Sequence, residues 1–249
     1  MLLENKVAAI YGASGAIGGA VARAFAREGA TVFLAGRTKT KLDKIANEIR
    51  SNGGPAETAV VDALNEQAVD QFVDMVVEQT GRIDISFNVI GYGDVQEPLL
   101  EIAVKDFLQP ITNAMRTQFL TTRAAARHMV KRGLGVILHF GGGGPQTQPG
   151  LGGFKVALDA IEGLRRQWAI ELGPRGIRVI TLKTGGVPES ISDDFAGKQE
   201  IADSIQKTTL LNQVATLADV GDVAAFVASD QARTITSTEV NISCGAIVD

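Results

Sequence analysis

Three glycines, Gly12, Gly15 and Gly18, follow one another at three-residue intervals in Lys6-Val-Ala-Ala-Ile-Tyr-Gly-Ala-Ser-Gly-Ala-Ile-Gly18. An apolar run ends there and a helical pattern begins. Backbone N–H groups in such a turn can close on a pyrophosphate, and the following helix aims its positive end at the same place. A Cβ would block that approach or forbid the backbone angles. Ser14 and Ile17 lie in the same turn and join the candidate cradle. A second apolar run, 31–35, ends in Gly36-Arg37-Thr38, at the distance where a dinucleotide-binding unit reads the adenosine ribose. An acid there would accept from a ribose hydroxyl. Arg37 and Thr38, with Lys39 and Lys41 nearby, suit a 2′-phosphate instead. The pattern favours NADP(H) over NAD(H), the alternative being that Arg37 caps a surface turn.

Other chemistries find little support. The single cysteine, Cys244, excludes an internal disulfide and a cysteine-based metal site. His128 and His139 stand far apart and in no ligand spacing, so no metal is expected. A net charge of −4 gives no pull toward nucleic acid or an anionic membrane. The uncharged stretch 7–22 is too short and too glycine-broken to span a bilayer. Glu4 precedes it without a basic run, so no signal peptide is read, and a reduced cytoplasm is the expected location.

The elements that must position these residues alternate along the chain. Short β-branched apolar runs at 7–11, 31–35, 58–61, 83–88, 135–140, 177–182 and 239–242 read as strands. Helical periodicity fills 17–28, 39–50, 66–80, 104–131, 154–172 and 219–228. The strands carry little charge, as expected where helices cover both faces. With 249 residues and 45% hydrophobic content, this predicts one α/β domain over 1–249: a Rossmann fold, doubly wound on a parallel sheet of about seven strands. Residues 184–210 form the expected substrate region. Its polar stretch 188–209 is either a lid or an ordinary surface excursion.

These landmarks together resemble the short-chain dehydrogenase/reductase family over nearly the whole chain. Val61-Asp62 is similar to the segment where an acid meets the adenine, which implies binding roles for Asp62 and Ala63. Ile83-Asp-Ile-Ser-Phe-Asn88-Val-Ile-Gly91 resembles the strand ending in Asn-Asn-Ala-Gly and brings in Asn88 and Gly91. Pro149-Gly150-Leu151 leads toward the active-site helix, and Glu162-Gly163-Leu164 lies along it. Thr184-Gly185 stands where Pro-Gly is usual, with Thr184, Gly185 and Val187 implied near the nicotinamide amide. Tyr11 in place of threonine, Gly15-Ala16 in the turn, and Val89-Ile90 are further departures.

The resemblance implies hydride transfer coupled to proton transfer at a carbonyl or alcohol. In the family a tyrosine donates the proton and a lysine four residues later tunes it. A serine holds the substrate oxygen and an asparagine supports a water relay. Alignment from both sides puts Phe154 at the tyrosine position, Leu158 at the lysine, Gly141 or Gly142 at the serine and Ala114 at the asparagine, with Asn113 one residue off. The usual tetrad therefore reads as replaced. Tyr92 and Lys183 are substitute candidates, and His139 stands close by. Their blander readings are a loop-packing aromatic, a solvated strand end and a near-core histidine. Two functions follow: an NADP(H)-dependent oxidoreductase on a small molecule with an unusual donor set, or a non-catalytic NADP(H)-binding sensor or structural subunit. The family also implies a homotetramer or dimer through the helices at 104–131 and 154–172.

Overall fold

The computed structural model describes residues 1–145 and 147–248. Seven strands alternate with seven helices: β1 (Val7–Tyr11), α1 (Ala16–Arg27), β2 (Thr31–Gly36), α2 (Lys39–Ser51), β3 (Ala56–Val60), α3 (Glu66–Thr80), β4 (Ile85–Asn88), α4 (Val104–Arg132), β5 (Gly135–Phe140), α5 (Gly152–Leu172), β6 (Ile177–Thr184), α6 (Lys198–Thr208), α7 (Leu217–Ala228) and β7 (Thr238–Ile242). The strands pair in parallel in the order β3-β2-β1-β4-β5-β6-β7. The chain runs outward from β1 to β3 and returns to β4, so the order reverses between β1 and β4. In a doubly wound sheet the crevice for a ligand opens at that reversal, beyond the strand C-termini.

Side-chain alternation along β1 divides the core. Ala8 and Ile10 face Phe25 of α1, Leu42 of α2 and Val220 of α7. Val7, Ala9 and Tyr11 face Phe72 of α3, Met129 of α4 and Leu172 of α5. Both faces are covered, which is why the strand reads as a continuous apolar run rather than an alternating one. Each fully buried aromatic such as Phe25 or Phe87 contributes about 1.5–3 kcal/mol over leaving it exposed.

Local signals set the helix ends. The Asn65 side chain accepts from Ala68 N at 3.1 Å and starts α3, while Gly81 ends it in the left-handed region. Thr216 and Asp219 form a reciprocal capping box at the start of α7.

Several boundaries differ from the sequence expectation. The fourth strand begins at Ile85 rather than at residue 83. The carboxylate of buried Asp84 accepts from Val7 N at 2.9 Å and pairs with Arg82 and Arg132 at 3.1 and 2.9 Å. It thereby ties down the entry of both central strands. The third strand starts two residues earlier than read. Within the connection 188–209 the structure has a short turn at Pro188–Ser190 and the helix α6. That helix buries none of its residues, so it leaves no core-facing stripe to find. No helix among the described residues is long and apolar enough to cross a membrane.

Candidate functional site

The first half of the site is made by backbone. After Tyr11 the chain turns at Gly12, whose φ is +78°, and a Cβ there would lie 2.6 Å from the Val89 carbonyl oxygen. Only glycine accepts both conditions. Gly12 N and Ala13 N both donate to Ala35 O, at 3.0 and 3.2 Å, which pins the turn against β2. Gly15 is the N-cap of α1 and brings no side-chain hydrogen bond. The first-turn amides of α1 are thus left to meet an anion. A Cβ at Gly18 would overlap the Gly12 carbonyl, so this glycine sets how tightly α1 seats on the turn.

A cleft of about 360 Å³ opens over this turn, of a size ordinary for ligand sites. It gathers Gly12, Ser14, Gly15, Arg37, Asp62, Ala63 and Gly91 from four separate segments. Asp62 accepts from Leu64 N at 3.0 Å and so shapes its own loop. Arg37 is exposed, and its side chain forms no hydrogen bond or ion pair among the described residues. These features fit a dinucleotide: bared amides for the pyrophosphate and an uncommitted guanidinium at the far rim. Sequence reasoning missed Gln109 and Thr117, which line the cleft with Asn113. Their spacing of four residues on α4 is the signal that could have found them.

Other expected contacts lie off the cleft wall. Asn88 is buried, donating to Thr121 Oγ1 at 3.0 Å and accepting from Ile90 N at 3.1 Å, so it braces the β4 loop from within. Ile17, Gly18, Thr38, Thr184, Gly185 and Val187 do not border the cleft either. Val187 is packed into the core at 4% exposure.

The second half of the site is apolar. Ala114, Phe154 and Leu158 gather in one cluster with Tyr92, Ala157 and Ile161. The Tyr92 ring lies 6.2 Å from the Phe154 ring, and its hydroxyl donates to the Phe140 carbonyl at 3.0 Å. Asn113 Nδ2 donates to the Tyr92 carbonyl at 2.8 Å, which fixes the backbone there. Burial pushes the Tyr92 phenol up to about 12; the Gln118 carboxamide beside it works the other way. Neither amide atom of buried Gln118 closes a hydrogen bond of full geometry among the described residues.

The glycines after β5 are pressed by side chains from elsewhere. Gly141 has φ +92°, and a Cβ on it would lie 3.0 Å from Leu158 Cδ2 and 3.5 Å from the Tyr92 hydroxyl. A Cβ on Gly142 would lie 3.0 Å from Lys183 Cβ and 3.4 Å from Glu239 Oε2. Asp159 covers Gly143 in the same manner. Lys183, 2% exposed, pairs with Glu239 at 2.5 Å. The Tyr92 hydroxyl and the Lys183 ammonium therefore serve different partners, rather than forming the acid pair considered from the sequence. Lys155 is tied to Asp159 one turn along α5, at 2.5 Å.

Behind this wall lies a buried polar layer. His139 Nε2 meets Thr122 Oγ1 at 3.1 Å. Burial, joined by the Arg165 charge, holds the imidazole down to about 3, so the ring stays neutral at ordinary pH. Arg165 Nε donates to Glu162 Oε2 at 2.7 Å. Burial and the neighbouring Glu239 raise the Glu162 carboxyl above its ordinary range. Among the described residues no three metal-ligating side chains stand together.

Residues 12–246 match the profile of a family described as enoyl-(acyl carrier protein) reductase. An uncharacterized oxidoreductase of Bacillus subtilis, YxbG, is 30% identical over 98% of this chain and 91% of its own. The 3-oxoacyl-[acyl-carrier-protein] reductase FabG of Thermotoga maritima is 27% identical over the full length of both chains. A crystal structure of NAD+-bound xylitol dehydrogenase superposes with a TM-score of 0.88 at 25% identity, covering 98% of this chain and 100% of that one.

Proposed function

Since the chain belongs to the short-chain dehydrogenase/reductase family of oxidoreductases, we propose that it binds NADP(H) and acts on a carbonyl or alcohol with the usual catalytic tetrad replaced. Ala114, Gly141 or Gly142, Phe154 and Leu158 stand at the four positions. When bound, the nicotinamide supplies or receives the hydride. The chain's own residues bind and orient it. The amides between Gly12 and the first turn of α1 take the pyrophosphate, Asp62 and Ala63 border the adenine, and Arg37 takes the 2′-phosphate.

The observation that carries this reading is Arg37, exposed on the rim of the cleft and without a protein partner among the described residues. A guanidinium there offers a bidentate site to a phosphate and nothing comparable to a bare ribose. The similar xylitol dehydrogenase holds NAD+, so the preference for NADP(H) rests on Arg37 alone. The apolar cluster around Phe154 and Leu158 carries the second part, because neither side chain can donate a proton or hold a charge. The outer face of α4 and α5, where Phe119 stacks on Trp168 at 5.7 Å, is the surface we assign to contact with a second copy.

Parallel titrations of NADPH and NADH, followed by thermal stabilisation, test the reading. NADPH is expected to bind at least about tenfold tighter. Equal affinity removes the role given to Arg37, and no binding of either removes the whole reading. Binding without consumption across ketones, alcohols and activated alkenes moves the protein to the sensor or structural role.

A further inference from the structure

One role in this chemistry has no holder at the usual position: the group that binds the oxygen on the reacting carbon. We infer that Tyr92 fills it, its hydroxyl reaching across the gap that glycine leaves at position 141, given a nicotinamide bound as proposed above. Four observations converge on this residue.

Tyr92 is placed for it. Gly91 and Gly93 on either side both line the cleft, and Asn113 clamps the intervening carbonyl at 2.8 Å. The residue is therefore fixed between two cleft-lining glycines while its side chain, 6% exposed, turns into the apolar cluster behind them.

The hydroxyl also arrives where the missing one belongs. It lies 3.5 Å from the point a Cβ on Gly141 would occupy. A serine at 141 would carry φ +92° and press on Leu158, so a hydroxyl supplied from within β5 is disfavoured. One supplied from the β4 loop is not. Glycine at 141 and tyrosine at 92 thus form a matched exchange.

No other side chain of the cluster competes. Among Tyr92, Ala114, Phe154, Ala157, Leu158 and Ile161 only Tyr92 bears a hydroxyl. Lys183 is covered and engaged with Glu239. The raised Tyr92 phenol stays protonated, which keeps it a donor toward a carbonyl or alkoxide oxygen.

A further polar group waits beside it. The Gln118 carboxamide is wholly buried beside the phenol, and neither of its amide atoms closes a hydrogen bond of full geometry among the described residues. Buried amides are rarely left so without a role. On binding, the Tyr92 hydroxyl exchanges the Phe140 carbonyl for the substrate oxygen, one neutral hydrogen bond for another, with Gln118 alongside.

The chain has two tyrosines, Tyr11 and Tyr92, so fluorotyrosine-labelled protein gives two fluorine NMR signals, assigned with Tyr92→Phe. NADPH is expected to shift the Tyr92 signal, and 2′-phospho-ADP-ribose, which lacks the nicotinamide, to leave it in place. A signal that ignores NADPH, or that moves equally with both ligands, overturns the inference while cofactor binding stands. Failure of NADPH to bind at all, seen by thermal shift, overturns the nucleotide reading itself. In turnover with a panel of aldehydes and ketones, Tyr92→Phe is expected to lower kcat at least about tenfold and to leave the KM for NADPH within about twofold. Unchanged kcat, or no turnover by the parent protein, overturns the role given to Tyr92.

Discussion

The chain carries two glycine-rich stretches at strand C-termini, and they serve opposite ends. Around Gly12, Gly15 and Gly18 the missing side chains expose backbone. Two of the three vacancies are answered by the protein's own carbonyls, those of Val89 and Gly12, and the third, at Gly15, meets only ordinary contact at 3.4 Å. Around Gly141, Gly142 and Gly143 the missing side chains are answered by side chains from other elements: Leu158, Tyr92, Lys183, Glu239 and Asp159. The first stretch lets backbone close on backbone, leaving the turn's amides bare for the phosphates proposed above. The second gives its space to neighbours within the protein. Glycine content alone does not tell the two uses apart; what presses on each absent Cβ does.

Substitutions can break this contrast, the most severe at Gly12. Gly12→Val sets a branched side chain at φ +78° and 2.6 Å from the Val89 oxygen. It is expected to cost about 3 kcal/mol or more and to abolish NADPH binding, as read by calorimetry and the melting temperature. A stable Gly12→Val protein that still binds would remove the cradle from the account.

Arg37→Glu comes next. Exchanging a guanidinium for a carboxylate opposite a 2′-phosphate is expected to weaken NADPH by about 2 kcal/mol, with NADH unaffected or improved. Side-by-side titrations at low and high salt check it, because the loss should shrink as ions screen the charges.

A pair of alanine substitutions sharpens the comparison itself. Gly142→Ala crowds Lys183 Cβ at 3.0 Å and is expected to lose about 1–2 kcal/mol of stability without changing cofactor affinity. Gly15→Ala meets no close contact and should do the reverse, weakening NADPH while the denaturant midpoint barely moves. If both alanines act on stability alone, the two stretches are one kind of feature after all.

The smallest effect is a pH slope. The His139 ring titrates at about 3 in the fold against 6.5 when unhindered, so below 6.5 the unfolded chain binds more protons. Stability is then full above pH 6.5 and declines as pH falls toward 3, by about 1 kcal/mol over the first unit. His139→Gln should flatten urea midpoints between pH 6.5 and about 5.5. The exposed carboxylates held down by partners, Asp43 and Glu48 among them, act only at lower pH.

The same division explains what the sequence disclosed. All seven strands could be read: the inner five are short apolar runs buried along most of their length, and the half-buried edge strands β3 and β7 still fall at the regular spacing. The cradle could be read too, since a turn at Gly12 and an uncapped start at Gly15 are backbone conditions that residue types announce. The helix α6 could not, since Ile201 and Ile205 are its only large apolar residues and the structure buries neither. Asn88, expected near the cofactor, also braces Thr121 and Ile90, a packing role that type and position alone do not announce. Tyr92 could be named as a candidate, but not its hydroxyl's place beside Gly141, because that depends on which of several distant side chains packs there. That is a matter of packing, not of pattern.

The sheet order also fixes when each half can come into being. Most of the cleft's walls are in hand once synthesis passes Gly91: the turn, the Arg37 rim, the Asp62 loop and β4 are all earlier in the chain. The wall around Gly141 and Gly142 needs Leu158, Lys183 and finally Glu239, in β7. The residues that line the first half thus mostly precede those of the second, yet the core behind them is shared, because β1 packs on Met129, Leu172 and Val220 of the later helices.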